Sequence, residues 1–340
     1  MQHPRNVLLG AQATTGVLPV CDHYSGVPSR MRKSLALQRD LIAEFDACVC
    51  DVTLDCEDGA PVGAEREHAD LVVSLIREAL AQATPSAPRP RVAVRVHPVD
   101  HPAFAADIDT IMVGAGPLLC HLMLPKVETV ADVDRAAAAI DAVTHDPTLR
   151  QLPLHVLLES AAAVHRAFDI AAHPRVQSIS FGLMDFVSSH GGAIPAGGMS
   201  GDGQFSHPLV VRAKLEIASA CHAHGKTPSH CVVTEFRDPA AIEKAARIAA
   251  SQMGFTRMWS IHPDQIRPIL AAFAPSGADI AQASEIIDLA QVANWAPIDY
   301  QGRLHDRASY RLYWQVLERA HATGQVLPAS ASRHFAPSLQ

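Results

Sequence analysis

Residues 154–185 read LHVLLESAAAVHRAFDIAAHPRVQSISFGLMD. Two short apolar runs, Leu154–Glu159 and Ser178–Gly182, bracket an alanine-rich amphipathic stretch, Ala161–Ala172. Runs of that length suit buried strands, and the stretch between them suits a crossover helix, so the segment reads as a strand–helix–strand unit. The same alternation recurs outward in both directions. Further candidate strands are Val7–Leu9, Ala47–Asp55, Val92–Val96, His121–Pro125, Pro228–Thr234 and Met258–Ile261. Helical patterns lie between them at Ala64–Gln82, Val130–Val143, Leu209–His224 and Pro239–Met253, and Glu128-Thr129 and Asp238-Pro239 mark helix starts. Eight candidate strands joined by helices predict a closed TIM (β/α)8 barrel. An open doubly wound sheet is the rival, but no G-x-G-x-x-G follows the first strand. After Pro275 the pattern changes to helices, Ile280–Ala290 and Ser309–Ala322. The chain therefore divides into a barrel domain, 1–275, and a C-terminal helical extension, 276–340.

Composition narrows the function. The 340 residues are 48% apolar and 19% charged, enough for a large core. A net charge of −7 argues against non-specific nucleic-acid binding, which needs a basic field. No apolar run is long enough to predict a membrane span, and residues 1–20 lack the features of a secretory signal. Seven cysteines occur without a C-x-x-C pair, so reduced buried thiols and a cytoplasmic setting are expected. The stretch Ser188–Pro208 carries six glycines without P-loop spacing and reads as a mobile loop or as a lid over a site.

In a parallel barrel, functional groups gather at the C-terminal strand ends. Acids and bases stand at six of these ends, in Asp55-Cys56-Glu57-Asp58-Gly59, Arg95 to His97, Pro125-Lys126-Val127-Glu128, Glu159-Ser160, Gly182-Leu183-Met184-Asp185 and His262-Pro263. Glu159 and Asp185 are 26 positions apart, about one βα unit, so adjacent strands bring both carboxylates to one rim. Two carboxylates with no nearby thiolate suit a hard cation, most readily Mg²⁺; the plainer reading makes each a helix cap or ion-pair partner. Arg95 either pairs with Glu57 or Asp58 or clamps a substrate carboxylate, and Lys126 carries the same two readings. His262 reads as a hydrogen-bonded structural histidine. Neither G-x-S-x-G nor H-E-x-x-H occurs.

Taken in order, these motifs resemble the citrate lyase β-subunit-like branch of the HpcH/HpaI aldolase superfamily. The segments carrying the resemblance are Asp55–Gly59, Val94-Arg95-Val96, Leu124–Glu128, Leu158-Glu159-Ser160, Phe181–Asp185, Gly254-Phe255, Ile261–Gln265 and Phe273–Ser276, spread over roughly residues 5–310. The resemblance implies a TIM barrel and a Mg²⁺-dependent lyase acting on 3-hydroxyacyl-CoA thioesters such as malyl-, citramalyl- or citryl-CoA. It implies Glu159 and Asp185 as metal ligands, and Arg95, Asp306 and Glu57 as catalytic residues. Arg5, Arg95 and Lys126 would bind substrate, with Arg5 read as the family's N-terminal strand arginine. Asp306 would be delivered by the extension into a neighbouring subunit's site, within a homo-oligomer such as a trimer or hexamer. Four segments depart from the family pattern: Arg5-Asn6, His97 after Val96, Ser229-His230 and Arg257-Met258. Two rival functions follow: a metal-dependent aldolase on free 2-oxo acids, and an accessory barrel that binds CoA or an acyl carrier without turnover.

Overall fold

A computed structural model of the chain describes residues 2–335 apart from 11–12, 14–15, 60 and 85–86. Eight parallel strands close into a barrel: β1 Cys21–Ser25, β2 Cys50–Asp55, β3 Val92–Arg95, β4 Leu122–Leu124, β5 Leu154–Leu158, β6 Val176–Phe181, β7 Thr227–His230 and β8 Arg257–Ser260. The order around the barrel is the order along the chain, and β1 pairs with both β2 and β8. The TIM barrel is thus as expected.

One of the eight expected strands is corrected. Val7–Leu9 lies in a helix, Pro4–Leu9, and the first strand is Cys21–Ser25. The reason is compositional. The first strand reads Cys-Asp-His-Tyr-Ser, buried throughout yet almost without aliphatic residues. It escapes a search for apolar runs because its inward face meets other polar groups.

That polar interior sits near the strand starts. Arg257 donates to Asp51 at 2.7 Å and lies 2.9 Å from Asp22, all three fully buried. Arg91 adds a bond to Asp51 at 2.6 Å. Burial opposes ionisation of Asp51, but Arg91 and Arg257 outweigh it and hold the carboxyl below its ordinary range. Beside them the rings of His121 and His155 stack at 3.5 Å. Burial lowers both imidazoles, His155 to about 3, so the stack is uncharged. Outside the strands, Val52, Leu54, Val94, Leu122, Leu154, Val156 and Ile179 pack on the helices in one fully buried apolar layer.

The chain forms two compact units, Cys21–Ala272 and a second that joins Met1–Val20 to Phe273–Gln340. The first twenty residues, expected with the barrel, therefore belong with the C-terminal helices. In that second unit Ile280, Ile286, Ile287, Tyr310, Trp314 and Leu317 form a separate core. Arg5 pairs with Glu318, which also accepts from Trp314 Nε1 at 2.6 Å.

Removing the Arg257 guanidinium leaves Asp22 without a guanidinium and Asp51 with Arg91 alone. Breaking a buried ion pair on one side costs about 3–5 kcal/mol. Arg257→Met is expected to lower unfolding free energy by that amount in urea titrations; a loss below about 1 kcal/mol would contradict a stabilising role for the cluster.

Candidate active site

The C-terminal strand ends surround a cavity of about 360 Å³. Its lining includes Tyr24, Arg30, Asp55, Asp58, Arg95, Glu159, Asp185 and Trp259. Glu159 follows β5, and Asp185 lies in the first turn of the helix Leu183–Ser188 that follows β6. The expected carboxylate pair therefore shares one cavity. Gly182 makes this possible, because a Cβ there would stand 2.5 Å from the Glu159 Cγ. Only a hydrogen fits beside that carboxylate.

Glu159 is 5% exposed and its Oε2 has no hydrogen-bond partner. Burial raises its carboxyl to about 8, and the nearby charges of Asp185 and Glu57 add to the rise. A buried carboxylate without a partner is costly. Here it faces a second carboxylate across a cavity, an arrangement that a divalent cation relieves.

Arg95 resolves its two readings by geometry. Its Nε and Nη2 grip Asp55 at 2.7 Å each, Nη1 lies 2.8 Å from Glu57, and Nη2 lies 3.2 Å from Asp58. A guanidinium has five N–H donors, so little capacity is left for a bidentate substrate clamp. Lys126 Nζ lies 2.9 Å from the other Glu57 oxygen, and its backbone takes the left-handed φ of 52° that few side chains tolerate. Burial raises the Glu57 carboxyl despite Arg95 and Lys126. Asp55 also accepts from the backbone amides of Glu57 and Gly59. The loops after β1 and β2 touch there, since a Cβ on Gly26 would stand 2.5 Å from the Gly59 Cα.

Two expected residues belong to the second unit. Arg5 sits in the helix Pro4–Leu9 of the second unit and pairs with Glu318, so it is not a barrel-strand arginine. Asp306, also in the second unit, caps the helix Arg307–Ala322 by accepting from Ala308 N at 3.0 Å. His262 accepts from Asp264 N within a capping turn, as the structural reading has it. The glycine-rich stretch folds into two short turns, Ala196–Met199 and Gly203–Phe205, with Gln204 bonded to the buried Lys214 at 2.7 Å.

Sequence reasoning missed Arg30, Tyr24 and Trp259. Tyr24 lies on the true β1 and Arg30 in the helix after it, while Trp259 lies on β8, a strand the sequence did show. Tyr24 and Trp259 stack at 4.2 Å to form one wall, with the Arg95 guanidinium 5.2 Å from the Tyr24 ring. Arg30 is exposed and makes no ion pair among the described residues. Two other ligand groups, Asp22-His121-His155 and Asp51-Cys120-His121, lie in the barrel interior. Arg257 already holds their carboxylates, and parallel stacked imidazoles cannot both aim a lone pair at one ion.

Comparison with known proteins adds the context. The HpcH/HpaI aldolase/citrate lyase family matches residues 34–263. An L-malyl-CoA/beta-methylmalyl-CoA lyase of Cereibacter sphaeroides is 32% identical over 239 residues, 66% of this chain and 74% of the relative. A crystal structure of a citrate lyase from Burkholderia xenovorans LB400 is 46% identical, covers 98% of this chain and 99% of its own, and superposes with a TM-score of 0.77. The protein CitE of Mycobacterium tuberculosis, solved with magnesium, acetoacetate and coenzyme A, has a TM-score of 0.65 at 21% identity, covering 89% of this chain and 98% of its own. At that identity the likeness is one of fold.

The raised Glu159 carboxyl fixes a pH dependence. The unfolded chain ionises this group near 4.5, and the folded chain does so only near 8. Stability from this group is therefore fully present below about pH 4.5 and lost as pH rises through about 8. Glu159→Gln is expected to stabilise the cation-free protein by a few kcal/mol at pH 8 and to change little at pH 4.5. Thermal melts at the two pH values check this; equal effects at both would contradict it.

Proposed function

Because the chain belongs to the HpcH/HpaI aldolase/citrate lyase family, we propose that it is a Mg²⁺-dependent carbon–carbon lyase acting on a 3-hydroxyacyl-CoA thioester of the malyl-, citramalyl- or citryl-CoA type. The observation that carries the reading is the unpartnered, buried Glu159 carboxyl facing Asp185 in one cavity. Two carboxylates with room for substrate oxygens and water suit Mg²⁺. Glu159 and Asp185 are its proposed ligands. When bound, the ion polarises the carbonyl that forms as the bond breaks.

The chain's own residues take the remaining roles. Cleavage beside a thioester leaves an enolate, whose charge must be offset. Arg95 is preorganised for this by Asp55, Glu57 and Asp58, and its remaining donor capacity suits one enolate oxygen rather than a carboxylate. Glu57, raised by burial and held between Arg95 and Lys126, is placed to hold or move a proton. Lys126, half-exposed at the rim, screens incoming negative charge. Arg30, which lines the cavity, is proposed beside Arg5 as a cation that meets the substrate's anionic end. Tyr24 and Trp259 close one side and exclude water. Asp306 is proposed as an acid/base group supplied by a neighbouring copy within a homo-oligomer; its place on an exposed helix cap supports a residue that acts outside its own unit.

Malyl-, citramalyl- and citryl-CoA, each tested with Mg²⁺ and then with EDTA, check the reaction. Release of glyoxylate, pyruvate or oxaloacetate is expected with Mg²⁺ only, and Glu159→Gln is expected to lower it by more than about 100-fold. Silence on all three by a folded, Mg²⁺-binding protein, with cleavage of a free hydroxy oxo acid, would replace the thioester reading by the oxo-acid aldolase. The shared site is tested separately. Inactive Asp306→Ala and Glu159→Ala chains, co-refolded into mixed oligomers, are expected to regain part of the activity, and verified mixed oligomers without activity would remove Asp306 from the site.

A further inference from the structure

One buried cation takes no part in the proposed reaction. Lys214 lies in the helix Pro208–Ala223 without solvent exposure, and no carboxylate is among the groups that act on it. A buried ammonium without a carboxylate is costly. Its Nζ donates to Gln204 Oε1 at 2.7 Å and also to the Cys231 sulfur. The Cys231 thiol donates to the same Gln204 oxygen at 3.3 Å. The Phe205 ring covers the amine at 4.1 Å, and His230 stacks on that ring at 5.4 Å. One amide oxygen therefore holds an amine and a thiol side by side in a dry interior.

The pair is reachable from one side. Cys231 follows β7 directly and lines the cavity that holds Glu159 and Asp185. Burial lowers Lys214 to about 8, which leaves it a lone pair in mildly alkaline solution. A desolvated lysine of that kind is a nucleophile and a base. Burial raises the Cys231 thiol, and the Lys214 charge opposes the rise. The thiolate is the form that peroxides oxidise, and the amine beside it accepts the thiol's proton.

We propose that Lys214 and Cys231 are a modification site at which a peroxide joins the two side chains through a sulfur–nitrogen bond that thiols reopen. Lys214 takes the Cys231 proton, and the thiolate attacks one oxygen of hydrogen peroxide. The O–O bond breaks, an S–O bond forms, and the departing hydroxide recovers the proton from Lys214 as water. Nζ then attacks the sulfenic sulfur. An S–N bond forms, the S–O bond breaks, and hydroxide leaves with one amine proton as a second water. Sulfur has given two electrons to one peroxide. Two thiols reverse the step, returning amine and thiol and leaving as a disulfide. A sulfenic acid without a partner proceeds to the irreversible sulfinic acid. The amine thus spares a thiol in the wall of the cavity, and the bond ties the helix Pro208–Ala223 to the end of β7.

The full chain, treated with hydrogen peroxide and digested with trypsin without reduction, decides this by mass spectrometry. Trypsin cuts after an unmodified Lys214, and residues 227–237 carry Cys231. The expected product joins 213–226, uncut after Lys214, to 227–237, with the loss of two hydrogens from the summed mass. Dithiothreitol is expected to separate the two. Cys231→Ser and Lys214→Met are each expected to lose the joined product, and in Lys214→Met the Cys231 thiol is expected to collect as sulfinic acid. Sulfinic Cys231 with Lys214 still cut, in the unaltered chain, overturns the site. So does a Cys231 that stays reduced while the less buried Cys48 and Cys120 are oxidised. A joined product that contains 215–226, with Lys214 cut, is a disulfide from Cys221 and overturns it too. None of these readouts depends on turnover, so they are independent of the lyase reading.

Discussion

The barrel closes where its last strand meets its first, and one guanidinium spans that seam. Arg257 of β8 reaches Asp22 of β1 and Asp51 of β2, all without solvent. Closure is what turns eight strand ends into a ring, and Glu57, Arg95, Lys126, Glu159 and Asp185 of the proposed site stand on that ring. Barrels are usually filled by branched aliphatic layers. Here the layer near the strand starts is ionic and imidazole-rich. A charge cluster of this kind tolerates few neighbours, because any group that separates the partners leaves a buried charge uncompensated. It therefore sets register across three strands at once, and a slip of one residue would turn Asp22 outward into the apolar layer.

At the opposite end, charge is arranged for a different purpose. Asp55, Glu57 and Asp58 surround Arg95, so most of that cation's capacity is spent within the protein. Glu159 is left outside this neutralised group, with the charge of Asp185 acting on it and no donor on one oxygen. The contrast within one rim is between carboxylates that hold a cationic side chain and Glu159, which holds none among the described residues. The same contrast separates this rim from the barrel interior, where Asp22 and Asp51 also sit near imidazoles but already hold a guanidinium.

Much of this was legible from the chain. Strands such as Leu154–Leu158 and Val176–Phe181 announce themselves because their outward faces meet helices and must be aliphatic. The pairing of Glu159 with Asp185 followed from spacing, since one βα unit separates adjacent strand ends. The first strand was hidden for the opposite reason: Asp22, His23 and Tyr24 find polar or aromatic partners inside, so no apolar run forms. That single displacement explains the strand reading of Arg5 and the unseen Arg30 and Tyr24, whereas Trp259 stands on a strand that was read. The saturation of Arg95 was invisible in principle, because it depends on three side chains converging in space. The grouping of residues 1–20 with the C-terminal helices was equally out of reach, as it joins segments some 300 positions apart.

That last grouping bears on how the chain is made. The helix Pro4–Leu9 is made before every barrel strand, yet its partner Glu318 is made after all of them. The barrel strands all lie between them, so the barrel can form while the leading helix still waits unpartnered. During synthesis the second unit is thus a latecomer assembled from segments on either side of the barrel. A stop anywhere beyond β8 but before Trp314 would release a barrel without its companion core, with Leu8 and Leu9 bared on the helix Pro4–Leu9.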